Sequence, residues 1–270
     1  VRQSYKNVDF LSDLELAYEQ LWEQVYYLGP LREHPKRQYL WSGAQPTGVG
    51  SRGERTIDAL LASSRHGKYL SQGPGRGKKK RTLQEQVAFW LQELKLVSNF
   101  QIKAISKTEK IYQVLIQADR NSTFVPLPDV GFGVSQILPV LTLLYYVPER
   151  SVLLLEQPEI HLHPSVQAGL ADVFIDAIKT RKVQIIVESH SEHLLRRLQR
   201  RIAEEKLSAK EAALYFVTYS QGESRIESLQ LDSYGRIENW PENFFGDDFA
   251  EIAAMQKAIL KRQKVSANGT

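Results

Sequence analysis

Val152-Leu153-Leu154-Leu155-Glu156-Gln157-Pro158-Glu159-Ile160-His161-Leu162-His163-Pro164 is an aliphatic run that ends abruptly in carboxylate, amide and imidazole groups. Such a run, closed by proline, reads as a short strand buried on both faces, the kind found in parallel sheets. A strand ending in Glu156 delivers a carboxylate to the carboxyl edge of the sheet, where open α/β folds bind ligands. That oxygen donor suits a magnesium ion, which bridges nucleotide phosphates with only one or two protein ligands.

A second run of the same kind, Gln184-Ile185-Ile186-Val187-Glu188-Ser189-His190, follows. It predicts His190 beside Glu156, where an imidazole can hydrogen-bond a terminal phosphate and a water. Upstream, Asp129-Val130-Gly131-Phe132-Gly133-Val134-Ser135-Gln136 puts two glycines at a helix start, where free N–H groups and the helix dipole favour an anion.

Working outward, the periodicity predicts helices from 131 to about 146, over 165–179 and over 191–205, with a third strand at 213–219. Strand, helix, strand, helix, strand implies a parallel sheet with crossovers. Toward the N-terminus the spacing predicts an amphipathic helix at 11–25 packed on a core, a strand at 26–28 closed by Gly29-Pro30, a turn-rich connection at 31–53 and a helix at 54–62. Thr82 and Glu85 form a capping box for a helix over 82–94, and alternation around residues 107–110 predicts a hairpin of 100–106 with 111–118. Beyond the sheet, a strand at 225–231, a turn at 232–235, a buried aromatic stretch at 239–245, a helix at 248–261 and a frayed tail at 265–270 are expected. The fold class is therefore α/β, a mostly parallel sheet with flanking helices and an added β-hairpin and helical N-terminal part. Its expected divisions are 1–120, 121–220 and 221–270.

The 270 residues carry 35 Lys and Arg against 31 Asp and Glu, a net charge of +4, and no cysteine. Disulfide frameworks, thiol catalysis and cysteine-ligated metals are excluded. The apolar stretch at 137–147 is about half a bilayer span and contains Pro139, so no membrane crossing is expected. Without a charged-then-apolar leader the chain reads as cytoplasmic, and the start at Val1 reads as internal to a longer polypeptide. Between Ala59 and Gln84 there is no acid, while Arg65, Lys68, Arg76, Lys78, Lys79, Lys80 and Arg81 supply seven positive charges. With its glycines, the part at 64–81 is either a solvated flexible loop or an arm that contacts DNA phosphates through Lys78, Lys79, Lys80 and Arg81.

These motifs, together with Tyr27-Leu28-Gly29-Pro30-Leu31-Arg32, Gly50-Ser51-Arg52-Gly53-Glu54 and the tail Leu231-Asp232-Ser233-Tyr234-Gly235-Arg236-Ile237-Glu238-Asn239-Trp240-Pro241, make the chain similar to the C-terminal lobe of ABC-type P-loop ATPase heads. It resembles the SMC-like and OLD-like prokaryotic branch, among AAA-family proteins that end in a C-terminal domain of unknown function. The resemblance implies an ATP-binding head that dimerises around nucleotide and Mg2+, in prokaryotic defence or DNA maintenance, with a nuclease or other effector as partner. It also assigns residues. Gly131, Phe132, Gly133, Val134, Ser135 and Gln136 correspond to the signature loop, Glu156 to the Walker B acid and metal ligand, and Gln157 to the position of the catalytic glutamate. Glu159 to His163 correspond to the D-loop and His190 to the switch histidine.

The chain departs from that pattern in three ways. Gly133 replaces the signature serine, with the Ser135 hydroxyl nearby. Gln157 can position a water but cannot take its proton, which leaves a slow site, a substitute base at Glu159 or Glu156, or a hydrolysis-deficient scaffold that binds a partner or DNA. No Gly-x-x-x-x-Gly-Lys-Ser/Thr motif occurs; Gly73-Pro74-Gly75-Arg76-Gly77-Lys78 has neither the preceding strand nor the hydroxyl, so the phosphate cradle is expected upstream of Val1.

His161 and His163 could ligate a metal, although the D-loop assignment accounts for them without one. Arg196, Arg197, Arg200 and Arg201 form a solvated helix face or a DNA contact. Ser189 beside His190 lacks the geometry of a nucleophile and its base.

Overall fold

The aliphatic run is the middle strand of a three-stranded parallel sheet. The structure is a computed structural model that describes residues 9–65, 67, 69–70, 80–106, 108, 110–220, 222–241, 255–257 and 259. In chain order its elements are α1 (Asp9–Glu23), β1 (Val25–Leu28), β2 (Tyr39–Leu40), α2 (Thr56–Arg65), β3 (Tyr69–Leu70), β4 (Arg81–Thr82), α3 (Leu83–Glu93), β5 (Asn99–Ser106), β6 (Ile111–Gln117), β7 (Val125–Pro126), α4 (Phe132–Tyr146), β8 (Val152–Glu156), α5 (Pro164–Arg181), β9 (Gln184–Glu188), α6 (Glu192–Ala203), β10 (Leu214–Ser220) and β11 (Glu223–Leu229). They group into two compact units, Val1–Leu198 and Gln199–Thr270.

In the first unit the parallel sheet has the order β1-β8-β9. Tyr27, Leu154 and Ile186 are register partners, as are Leu28, Leu155 and Val187. Since side chains alternate along a strand, these two rows lie on opposite faces. Leu28, Leu153 and Leu155 are buried, whereas Ile186 is 52% exposed and Tyr27 is also exposed. The expected burial on both faces thus holds for one face only among the described residues.

The covered face rests on a helical core. From Val134 to Tyr145 every residue of α4 is buried, which explains why the apolar stretch at 137–147 has no polar face. It packs against α2, α3 and α5. Gly53, at φ +76°, lies so close to Pro139 that an added Cβ would sit 2.6 Å from the ring, so only glycine fits there. One hydrogen-bond chain centred on the buried Tyr145 ties three helices: Trp90 Nε1 donates to Tyr145 Oη (2.6 Å), and Tyr145 donates to Asp176 Oδ2 (2.6 Å). The Thr82–Glu85 capping box is present at the start of α3. An antiparallel sheet of order β2-β6-β5, with β7 also paired to β6, supplies the expected hairpin. Among the described residues no helix is long and apolar enough to cross a membrane.

Two expectations fail. The side chains of α1 described from Phe10 to Trp22 are exposed, so its apolar spacing is not matched by a covering core. The strand expected at 213–219 as part of a parallel sheet is β10, whose pairing among the described residues is antiparallel, with β11. That pairing is local: Ser220 pairs with Glu223 across a tight turn where Gly222 takes φ +85°, so the chain doubles back at once into β11. Also in the second unit, Asp232 Oδ1 accepts from Tyr234 N and Arg236 N, giving the expected turn. The helix expected at 248–261 falls mostly outside the described residues, as do the end of the aromatic stretch at 239–245, the tail at 265–270, and Lys78 and Lys79.

Replacing Tyr145 with Phe leaves the Trp90 N–H without its acceptor and should cost about 1–3 kcal/mol in urea unfolding. Burial, then the Asp176 charge, raise the Tyr145 pKa well above its ordinary value. The stabilisation of the neutral phenol is therefore complete below about pH 10 and lost as pH rises toward the folded value. The wild type should lose stability above about pH 10 more steeply than Tyr145→Phe.

Candidate nucleotide site

β8 and β9 end in register, so Glu156 stands opposite Glu188 on the same face of the sheet. Adjacent strands lie about 4.8 Å apart, and like charges directly opposite destabilise a sheet by up to about 1 kcal/mol. Donors gather around the pair. Tyr27 Oη donates to Glu156 Oε1 (3.0 Å), which is the main cause of the raised Tyr27 pKa. Gln157 Nε2 donates to Glu188 Oε1 (3.4 Å), and His190 Nε2 lies 3.6 Å from the same oxygen. Arg32 Nη2 donates to the Glu156 carbonyl (3.3 Å). Arg32 is only 5% exposed, and its Nε and Nη1 have no partner among the described residues. Burial lowers its pKa to about 10, so it stays charged at neutral pH.

The turns beyond the strands are stitched together. Gln157 adopts φ +44°, uncommon for a residue with a Cβ, and its N–H bonds to the Glu188 carbonyl (2.9 Å). Glu159 is 7% exposed; its Oε1 accepts from Ser189 Oγ (2.8 Å) and His190 N (2.7 Å), while Oε2 is buried without a partner among the described residues. Ser191 Oγ accepts from Leu194 N at the start of α6 and donates to Gln167 Oε1, while Gln167 Nε2 donates to the Leu162 carbonyl. Glu159 is therefore placed to hold the His190 turn, whereas the half-buried Gln157 and the exposed Glu188 and His190 side chains lie at the open edge.

Gly131 caps α4 without a side-chain hydrogen bond. The exposed Phe132 ring lies 5.6 Å from both His34 and His161, and Gly133 packs against Leu162 and the His161 carbonyl. The segments at 131–133 and 161–162 are thus in contact. Val134, Ser135 and Gln136 are buried, and the Ser135 hydroxyl, expected to be available to a phosphate, donates to the Phe132 carbonyl (2.7 Å). His163 caps α5, its Nδ1 accepting from Ser165 N, while His161 stacks edge-on against Phe132. No cluster of three metal-ligating residues occurs among the described residues. Magnesium would therefore rest on Glu156 plus phosphate and water oxygens, a donor set that the acidic sheet edge fits.

Of the basic residues, Arg81 lies over the Phe89 ring (3.7 Å) and donates to Gln86, which leaves its guanidinium engaged with α3. Arg196, Arg197, Arg200 and Arg201 pair with Glu192, Asp172, Glu204 and Glu204; Arg196 and Arg200 are exposed, whereas Arg197 and Arg201 are half-buried. Hydrogen bonds from Arg201, Arg200 and Lys206 hold Glu204 at about 2.

A family profile described as "AAA domain, putative AbiEii toxin, Type IV TA system" matches residues 28–196, more than half of the chain. The chain belongs to this AAA-domain family. Residues 207–255 match a second profile, "Protein of unknown function (DUF3696)". No curated protein matches. Among solved structures, one from a study of ATP-driven dimerisation and DNA-stimulated activation of SMC ATPases is 14% identical, covering 55% of this chain and 84% of its own, with a TM-score of 0.43. An Smc head bound to the C-winged helix domain of ScpA is 12% identical, covering 56% of this chain and 43% of its own, at 0.42. An Smc head domain with a coiled coil and joint from Pyrococcus yayanosii is 12% identical, covering 56% and 27%, at 0.42.

Tyr27, Arg32 and Glu188 were not anticipated as site residues. The first two stand in a quoted motif, and Glu188 ends a quoted strand, but only the pairing of β1 with β8 and of β8 with β9 shows that they converge.

Glu159→Ala removes the buried acceptor of two donors, Ser189 Oγ and His190 N. It should cost about 2–4 kcal/mol in chemical denaturation and speed amide exchange at His190. Glu192→Ala, which breaks the solvent-accessible pair with Arg196, should cost at most about 1 kcal/mol.

Proposed function

We propose that this AAA domain binds and hydrolyses ATP with Mg2+ at the carboxyl edge of the β1-β8-β9 sheet, and that two copies close around nucleotide as a switch. The observation that carries this reading is the in-register pair Glu156 and Glu188 with Gln157 and His190 gathered on it. Two carboxylates side by side favour a cation, and the family is one of AAA domains.

Glu156 would hold Mg2+, whose charge offsets that of the phosphates when it is bound. His190, with an exposed side chain, hydrogen-bonds the terminal phosphate from beside Glu188. The Gln157 carbonyl accepts a hydrogen bond from a water and orients it. In the dimer, the start of α4, which has no side-chain cap, offers backbone N–H groups to the phosphate held by the other copy. Glu159 keeps the His190 turn in place from below.

The test uses the full-length protein, because no P-loop motif is encoded between Val1 and Thr270. ATP hydrolysis and ATP-dependent dimerisation by analytical ultracentrifugation are the expected results. His190→Ala should lower kcat by about 100-fold with ATP binding retained. Glu156→Gln should weaken the Mg2+ dependence of turnover. A full-length protein that neither binds ATP nor changes its association state with it overturns the proposal.

A further inference from the structure

Gln157 stands where the resemblance leads one to expect a glutamate, yet its surroundings suit an amide better than a carboxylate. Its backbone N–H is fixed to the Glu188 carbonyl (2.9 Å) at φ +44°, and its side-chain Nε2 lies 3.4 Å from Glu188 Oε1. The residue is thus held by Glu188 at both its main chain and its side chain. An ionised carboxylate offers only acceptors, so the amide must turn its NH2 toward Glu188 and its carbonyl oxygen away. That leaves the carbonyl on the open side, able to accept from a water.

A carboxylate at position 157 would have no proton to give Glu188. It would also add a third negative charge beside the in-register Glu156 and Glu188. His190, 3.6 Å from Glu188 Oε1, belongs to the same group and faces the same edge.

We infer that Glu188 is a positioning residue that orients the Gln157 amide, so that amide and carboxylate form a matched pair and Gln157 is the residue this site is built around. The inference rests on the nucleotide-site reading above. It predicts an outcome that a merely degraded catalytic glutamate would not give: the effect of a carboxylate at 157 depends in sign on the charge at 188.

The experiment measures ATP binding, kcat and KM for full-length wild type, Gln157→Glu, Glu188→Gln and the double variant. Both side chains reach the surface, and matching melting temperatures check that all four fold. Glu188→Gln should lower kcat about tenfold with KM for ATP changed less than about twofold, as expected of neighbouring residues that act together. Gln157→Glu should not exceed the wild type. The double variant should exceed Gln157→Glu by about tenfold. In a Gln157→Ala background, Glu188→Gln should cost clearly less than the tenfold it costs in the wild type, since there is no amide left to orient.

Faster turnover of Gln157→Glu with Glu188 intact, or single effects that simply multiply in the double variant, overturns the pairing while ATP binding by the wild type leaves the nucleotide reading standing. No ATP binding by the wild type overturns both.

Discussion

Two carboxylates that end adjacent parallel strands in register set the terms for everything around them. Glu156 and Glu188 repel, and the sheet holds them together because the aliphatic residues below them must align to bury Leu28, Leu153 and Leu155. The phenol of Tyr27, the amide of Gln157 and the imidazole of His190 are each turned toward one of the two acids. A hydrophobic core thus determines where the charge sits, and the charge determines which way the polar side chains point.

The parallel sheet was legible because four aliphatic residues in a row before a carboxylate leave few alternatives, and both strands and the helices after them appear where the pattern places them. α4 was legible for the same reason. The edge of the sheet was less so: β1 is only Val25–Leu28, and nothing in its residues names β8 as its neighbour. That pairing is what brings Tyr27 and Arg32 to the site. The partner of β10 was not legible because a strand's own residues do not specify it; Gly222 turns the chain straight back into β11. α1 carries a clear apolar period, yet periodicity reports what a helix can bury, and not whether a described neighbour covers it.

Within the site, residue types were easier to read than roles. Glu159 reads in sequence as a spare acid, but in three dimensions it is buried and bonded to the turn that carries His190. Ser135 reads as an available hydroxyl, but it bonds to the Phe132 carbonyl within its own helix turn. In both cases burial redirects a reactive group toward partners within the fold, because a buried donor or acceptor without one is costly.

The bonds that Glu159 makes also have an entropic meaning. A loop that must order itself around a ligand loses about 1–2 kcal/mol of backbone freedom per residue at the moment of binding. With Ser189 and the His190 backbone fastened to the Glu159 carboxylate, that loss is incurred when the chain folds, and any ligand reaching this edge would meet a turn already ordered.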